Sequence, residues 1–423
     1  MSERTALADL PPASRRSVYA TYAVGLLTDS QSELLGFIIP FWALVLGMGP
    51  LELGLLVSAK GVLSSILAIH GGVLMDRYGT RLVMVMTGVA CTLMPPFFSF
   101  ATWFPALFVL QMTLGLAMSF SWMGAQSLAV IVARDDTVIL GRFSFFARTG
   151  VMFAPLLAGI LWDTAPHWVS FLSVTLAGAA FWYAVTLLPK AEIDGPDEAE
   201  DGSRMRPPFS LRDLVPRLSD YIGTIGLMAI PAVAFVVGVS MTRIGSGLMQ
   251  QSFYIVYLKE LGLQATIIGG FITLSQFMAA IGTLISGRLA RSIHPNWVYV
   301  GAVAASVFLV FSTPIYGDLL ALLACVIGLR GLCQGISQPV MYTILSRAVG
   351  RDVQATAIGL RQTGNRVASL IIPIAMGAIA EVWGLNATFY VMGTFLLLVC
   401  AAMAIWIAVS DRRSRRNLGA EGG

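Results

Sequence analysis

Charge is scarce in this chain. Only 12% of its 423 residues are Asp, Glu, Lys or Arg, against roughly 25% in an ordinary soluble domain. Of the 50 charges, 24 fall in three short stretches, residues 1–16, 190–220 and 411–423, so 363 residues share the remaining 26. A water-soluble enzyme or nucleic-acid binder of this size needs far more charge to cover its surface, and neither class fits. Cysteine is equally sparse. Cys91, Cys325, Cys333 and Cys400 all lie in apolar runs without metal-ligand spacing, which argues against a disulfide framework or a zinc site. Histidine occurs three times, at His70, His167 and His294. No nucleophile–base constellation, metal cluster or nucleotide-binding loop is present, so the chain reads as no enzyme, and neither cofactor nor metal is expected.

What is abundant is apolar: 57% of the residues. Crossing a bilayer takes about 20 apolar residues at 1.5 Å each. Runs of that length predict twelve spans near 17–46, 51–75, 81–101, 104–132, 142–163, 167–189, 225–257, 264–288, 296–315, 318–346, 354–380 and 385–409. The first run has no evident cleavage site and reads as a retained span. Between the sixth and seventh, residues 190–224 carry the charged, Pro/Gly-bearing AEIDGPDEAEDGSRMRPP segment, the composition of a solvated linker. The expected organisation is an N-terminal tail 1–16, a six-helix bundle 17–189, a linker 190–224, a second six-helix bundle 225–410 and a basic tail 411–423. Shifting the first half by 215 residues superposes Gly47 on Gly262, Gly54 on Gly269 and Gly72 on Gly287, as a repeated six-helix unit would. Placing the N-terminus inside puts twenty Lys and Arg in the inner tails and loops and one, Lys259, outside. That asymmetry predicts two cytoplasmic termini in a multi-pass protein of the inner or plasma membrane.

The loop after the second span reads Gly72-Val-Leu-Met-Asp76-Arg77-Tyr-Gly79-Thr-Arg81. Its glycines permit a tight turn, Asp76 can accept from helix N-terminal amides, and the arginines can bind carboxylates or lipid phosphate. The loop resembles the signature of the major facilitator superfamily, and the resemblance extends over the whole chain through the 6+6 arrangement. It implies an all-α membrane protein of two pseudo-repeated six-helix bundles, with Gly72, Asp76, Arg77, Gly79 and Arg81 forming a cytoplasmic gate. The second-half counterpart keeps Gly287 but has Arg291 where an acid would stand. In the fifth span, Gly150-Val-Met-Phe-Ala154-Pro155-Leu-Leu-Ala158-Gly159 is similar to the family's antiporter motif, with alanine replacing two glycines. Small residues four apart allow close helix packing and proline bends the helix. The resemblance implies export against protons, whereas packing alone is the plainer reading. The fourth span departs from the family, with Gln111 where many members have arginine; a related Arg330-Gly-Leu-Cys-Gln334-Gly335 occurs in the tenth.

Charges inside the spans are costly and mark function. Asp29, Glu33, Lys60, Arg148, Arg243, Arg330, Arg361 and Arg366 lie in the first, second, fifth, seventh, tenth and eleventh spans; the interiors of the third, sixth, ninth and twelfth have none. In the family those four are outer supports and the others line a central cavity. Asp29 and Glu33 are four apart, on one helix face. Lys60 falls near the depth of Glu33, and Arg243 on the repeat image of Thr28, beside Asp29. Two carboxylates in one low-dielectric site resist joint ionisation, while a nearby cation favours it, so Asp29 and then Glu33 are the candidate proton carriers. A fixed Asp29–Arg243 or Glu33–Lys60 pair that only joins helices is the structural alternative. Arg148 and Arg361 are expected to snorkel toward the inner interface. The remaining excess of Lys60, Arg243, Arg330 and Arg366 over two acids favours a solute bearing carboxylate, phosphate or sulfonate groups. Trp122, Gln126, Gln250, Gln276, Gln334, Gln338 and Tyr342 complete the candidate substrate-binding set. The expected partners are a small-molecule substrate, protons and membrane lipid, with no nucleic acid, for a monomer. The leading expectation is a proton-coupled, alternating-access exporter of an organic anion, zwitterion or drug. Import by symport is the runner-up, and a membrane sensor or lipid-handling protein that moves no solute is the alternative of another class.

Overall fold

A computed structural model describes residues 14–134, 136–189, 193, 226–317, 319–348 and 351–420. Among these, twelve long helices follow one another: α1 Arg15–Val45, α2 Pro50–Tyr78, α3 Thr80–Leu93, α4 Phe104–Ala133, α5 Thr137–Thr164, α6 His167–Thr186, α7 Pro231–Gln251, α8 Ala265–Ser292, α9 Pro295–Phe311, α10 Leu320–Ala348, α11 Arg351–Trp383 and α12 Leu385–Ala420. Ten are long and apolar enough to cross a membrane, counting α3 with the following turn to Phe100 and α7 with its continuation Phe253–Glu260. Of the other two, α9 has 17 residues and α1, at 31, carries Asp29 and Glu33. Exposed apolar side chains such as Leu284, Phe100, Val382 and Leu398 cover the helices' outer surfaces, as a hydrocarbon solvent requires.

Three boundaries differ from those read off the hydropathy. The third span is α3 followed by a one-turn helix, Phe97–Phe100, because Pro95 and Pro96 interrupt it. The seventh breaks at Ser252 without proline or glycine: Ser252 Oγ donates to Leu248 O at 2.6 Å, and its backbone leaves the helical region at φ −123°, ψ −85°. Side-chain bonding back to the preceding turn bends helices in this way. The twelfth continues as backbone helix to Ala420 through the basic segment.

The chain divides into two compact units. The first comprises residues 1–42, 59–216 and 264–269, the second 43–58, 217–263 and 270–423. Each helix-end turn of the 215-residue repeat is built alike. Gly47 and Gly262 both adopt positive φ, 68° and 81°. Gly47 N bonds Leu44 O and Met48 N bonds Ala43 O; Gly262 N bonds Lys259 O and Leu263 N bonds Leu258 O. Glycine is required there because a Cβ disfavours the left-handed conformation.

In the first unit, α5 meets the start of α8. Cβ atoms at Gly159 and Gly269 would strike Ala265 O and Pro155 O, and the Asp163 carboxylate accepts from Ala265 N (3.1 Å) and from the N–H and hydroxyl of Thr266 (both 2.7 Å). The second unit repeats this with α11 and the start of α2. Gly377 and Gly54 abut Pro50 O and Pro373 O, and Glu381 Oε2 accepts from Leu51 N at 3.3 Å. Pro155–Gly159–Asp163 and Pro373–Gly377–Glu381 are one device used twice: proline and glycine open a close seam, and an acid one turn further caps the neighbouring helix.

Candidate functional site

In the first unit α1 is held by Gln31, whose Nε2 donates to Cys91 O (2.7 Å) on α3 and Val174 O (3.1 Å) on α6. Two residues either side of Gln31, Asp29 and Glu33 therefore occupy the opposite face of α1, where both are half-buried. From α2, Lys60 Nζ donates to Ser32 Oγ at 2.7 Å and to Ser32 O at 3.4 Å, and its charge acts on both acids. From α5, the Arg148 charge also acts on Asp29 and Glu33. Arg148 is itself exposed, and α5, which carries it, lies against α1: a Cβ on Gly150 would strike Leu26 O and Ser30 Oγ. Likewise, Gly115 of α4 abuts the Lys60 backbone. Two glycines on two helices thereby position the two cations, and the outcome is a four-charge cluster from α1, α2 and α5. Sequence reasoning missed Gln31 and Ser32, which orient the cluster; their flanking of Glu33 and Asp29 was the available signal.

The other predicted residues of this unit are dispersed. Trp122 stacks on Phe143 with ring centroids 6.3 Å apart, and Gln126 is exposed. Gln111 is buried, with Oε1 lacking a partner among the described residues. Gly79 turns the α2–α3 loop at φ 92°. Arg81 Nε donates to Leu188 O at 2.7 Å and Nη2 to Thr186 O at 3.3 Å, so this arginine satisfies carbonyls at the end of α6. Arg77 lies 5.9 Å from the Tyr78 ring centroid, and the Asp76 side chain falls outside the described residues. Ala154 and Pro155 are buried in α5.

The second unit concentrates guanidinium groups. Arg330 of α10 is 2% exposed, and its Nη2 donates to Ser246 O of α7 at 2.8 Å and to Ser246 Oγ at 3.4 Å. Arg243 of α7 is half-buried and acts on Tyr299 of α9 and on Arg330. Arg361 of α11 is buried, with Nη1 3.5 Å from Ser240 Oγ and its guanidinium carbon 5.6 Å from the Tyr342 ring centroid. Gln250 is buried, Gln276, Gln334, Gln338 and Arg366 are half-buried, and Tyr342 is exposed. Among the residues of this unit whose side chains are described, the acids Glu52, Glu260 and Glu381 stand at helix ends.

The decisive comparison is with families. The Major Facilitator Superfamily model matches residues 21–329 and 236–423. This chain belongs to the major facilitator superfamily. It is 22% identical over 410 residues to a probable 4-methylmuconolactone transporter of Cupriavidus pinatubonensis, covering 92% of this chain and 89% of that protein. It is 23% identical over 414 residues to the enterobactin exporter EntS of Salmonella typhi, covering 94% of each. The nucleoside transporter NupG shares the fold, with a TM-score of 0.75 at 12% identity over 92% of this chain and 99% of that one. Twelve helices in a facilitator fold make the chain a multi-pass membrane protein whose relatives are transporters.

Proposed function

We propose that this facilitator is a proton-coupled secondary transporter that exports a small organic anion or zwitterion by alternating access. The observation that carries the reading is the cluster of Asp29, Glu33, Lys60 and Arg148 on three helices of one unit. A carboxylate between a second acid and two cations changes its proton occupancy when a helix movement alters any of those distances. Asp29 is the first proton carrier and Glu33 the second. The close α5–α1 seam at Gly150 couples helix movement to the position of Arg148, which gives the antiporter-like motif of Gly150, Ala154, Pro155 and Gly159 a role beyond packing. Export accords with the name of the enterobactin exporter relative.

Lys60, Arg243, Arg330 and Arg366, with Trp122, Gln126, Gln250, Gln276, Gln334, Gln338 and Tyr342, supply the substrate contacts, and their excess positive charge selects for anionic groups. The Gly72–Arg81 loop gates the cytoplasmic side, and both termini of the monomer face the cytoplasm at the inner membrane. The protein performs no covalent chemistry. Asp29→Asn is expected to fold and bind substrate yet lose accumulation driven by a pH difference in liposomes. Accumulation at the wild-type rate would exclude Asp29 as the coupler and leave Glu33→Gln to be measured the same way.

A further inference from the structure

The two units treat the cations of their helices differently. In the first, Lys60 and Arg148 act on Asp29 and Glu33. In the second, Arg330 is 2% exposed and the groups acting on it are Tyr254, Cys333 and Arg243, none of them a carboxylate. Its Nε and Nη1 have no hydrogen-bond partner among the described residues, nor do Tyr254 Oη and Gln250 Nε2. Tyr254 is 2% and Gln250 8% exposed. These buried groups come from α10 and from the two sides of the Ser252 break in α7. A guanidinium held in a low-dielectric interior with unused N–H groups is costly unless an oxygen anion completes it.

The surroundings make this a built arrangement. An adjacent side of α10 is fixed, since Cβ atoms on Gly331 and Gly335 would strike Ser275 O and Ala279 O of α8. Toward α7, Ser246 anchors Nη2 of Arg330. At the next residue, Gly247, a Cβ would meet only Gln334 Nε2, at 3.8 Å. Glycine there leaves room between α7 and α10 on the side where Arg330 and Gln334, one turn apart, face α7.

Building on the anionic-solute proposal, we infer that Arg330, Tyr254 and Gln250 form a carboxylate-binding subsite in the second unit, with Arg330 as the anchor. Ser246 is its positioning residue: the carbonyl and hydroxyl take one guanidinium nitrogen and leave two for the ligand. The planar guanidinium and the phenol both donate to carboxylate oxygens. The break at Ser252 lies between Gln250 and Tyr254, so a bound carboxylate ties the two segments of the seventh span together. The carboxylate anchor Arg330 and the titratable acids Asp29 and Glu33 then belong to different units.

The test is thermal unfolding of the full-length protein in detergent, followed by tryptophan fluorescence, with acetate, succinate and benzoate against benzamide and benzylamine. Carboxylates should raise the wild-type midpoint, and the amide and amine should not. Arg330→Met should unfold at or above the wild-type temperature without ligand, because hydrocarbon replaces an unpaired charge, and should lose the carboxylate response. Tyr254→Phe should keep the fold and weaken the response about tenfold in concentration. Stabilisation of Arg330→Met by carboxylates equal to that of wild type would overturn the subsite, as would a wild type that responds to benzylamine or to no carboxylate. If Arg330→Met fails to fold, Tyr254→Phe decides, an unchanged response overturning the assignment. Binding in detergent requires no gradient, so its failure is separable from failure of proton coupling, which flux in liposomes reads.

Discussion

Gly150 shows how much a single hydrogen can position. Its missing Cβ lets α5 approach Leu26 O and Ser30 Oγ, and that approach brings the Arg148 charge to Asp29. Gly150→Ala should therefore cost about 1–3 kcal/mol through overpacking and lower the thermal midpoint. Gly141→Ala in the same helix meets nothing within 4 Å and should gain up to about 1 kcal/mol from helix propensity. Thermal unfolding of the pair checks this, and equal midpoints would remove the seam from the account. The acids themselves were legible because an ionised group within an apolar run stands out in any reading. Their orienting partners were not. Gln31 and Ser32 are ordinary polar residues whose importance depends on carbonyls 60 and 143 positions away and on an ammonium from another helix. The neighbours of Arg361 and Arg148 were hidden for a related reason: depth along a helix says nothing about the ring or carboxylate that a neighbouring helix brings near.

At the scale of elements, the repeat explains why certain helix ends are built as they are. The 215-residue shift was visible because Gly47 and Gly262 must both take positive φ. The Pro-Gly-acid seams were hidden because Pro155, Gly159 and Asp163 correspond to Pro373, Gly377 and Glu381 at a shift of 218, out of register with the turns. Each acid caps the exposed amides of another helix. Losing such a cap costs about 1 kcal/mol, so Asp163→Ala and Glu381→Ala should each destabilise the protein by about that amount. Since the two caps lie in separate units, the double variant should show the sum within about 0.5 kcal/mol. Denaturant or thermal titration of the three variants measures it, and no loss in either single variant would contradict the capping role. The break in the seventh span illustrates the opposite limit. Ser252 bends its helix by bonding to Leu248 O, and nothing about an isolated serine in an apolar run announces that it will turn its hydroxyl inward.

For the whole molecule, composition and apolar runs were enough to specify a bundle of spanning helices, because a bilayer leaves the backbone few alternatives; the Gly72–Arg81 loop carried the family resemblance. Trp103, Trp168, Trp297 and Trp383 are exposed at the ends of α4, α6, α9 and α11, where indole rings settle at the membrane interface. Solute identity was beyond the sequence, since specificity is distributed over side chains that only the fold assembles. With Asp29 as the proton carrier, its titration is linked to solute movement. That link is tested most directly by proton flux in liposomes containing the purified protein, recorded with an internal pH dye when a carboxylate that stabilises the protein is supplied on one side. The account predicts a solute-dependent proton movement opposite to the solute, absent in Asp29→Asn. Solute movement with no accompanying proton movement, or a flux unchanged in Asp29→Asn, would contradict it.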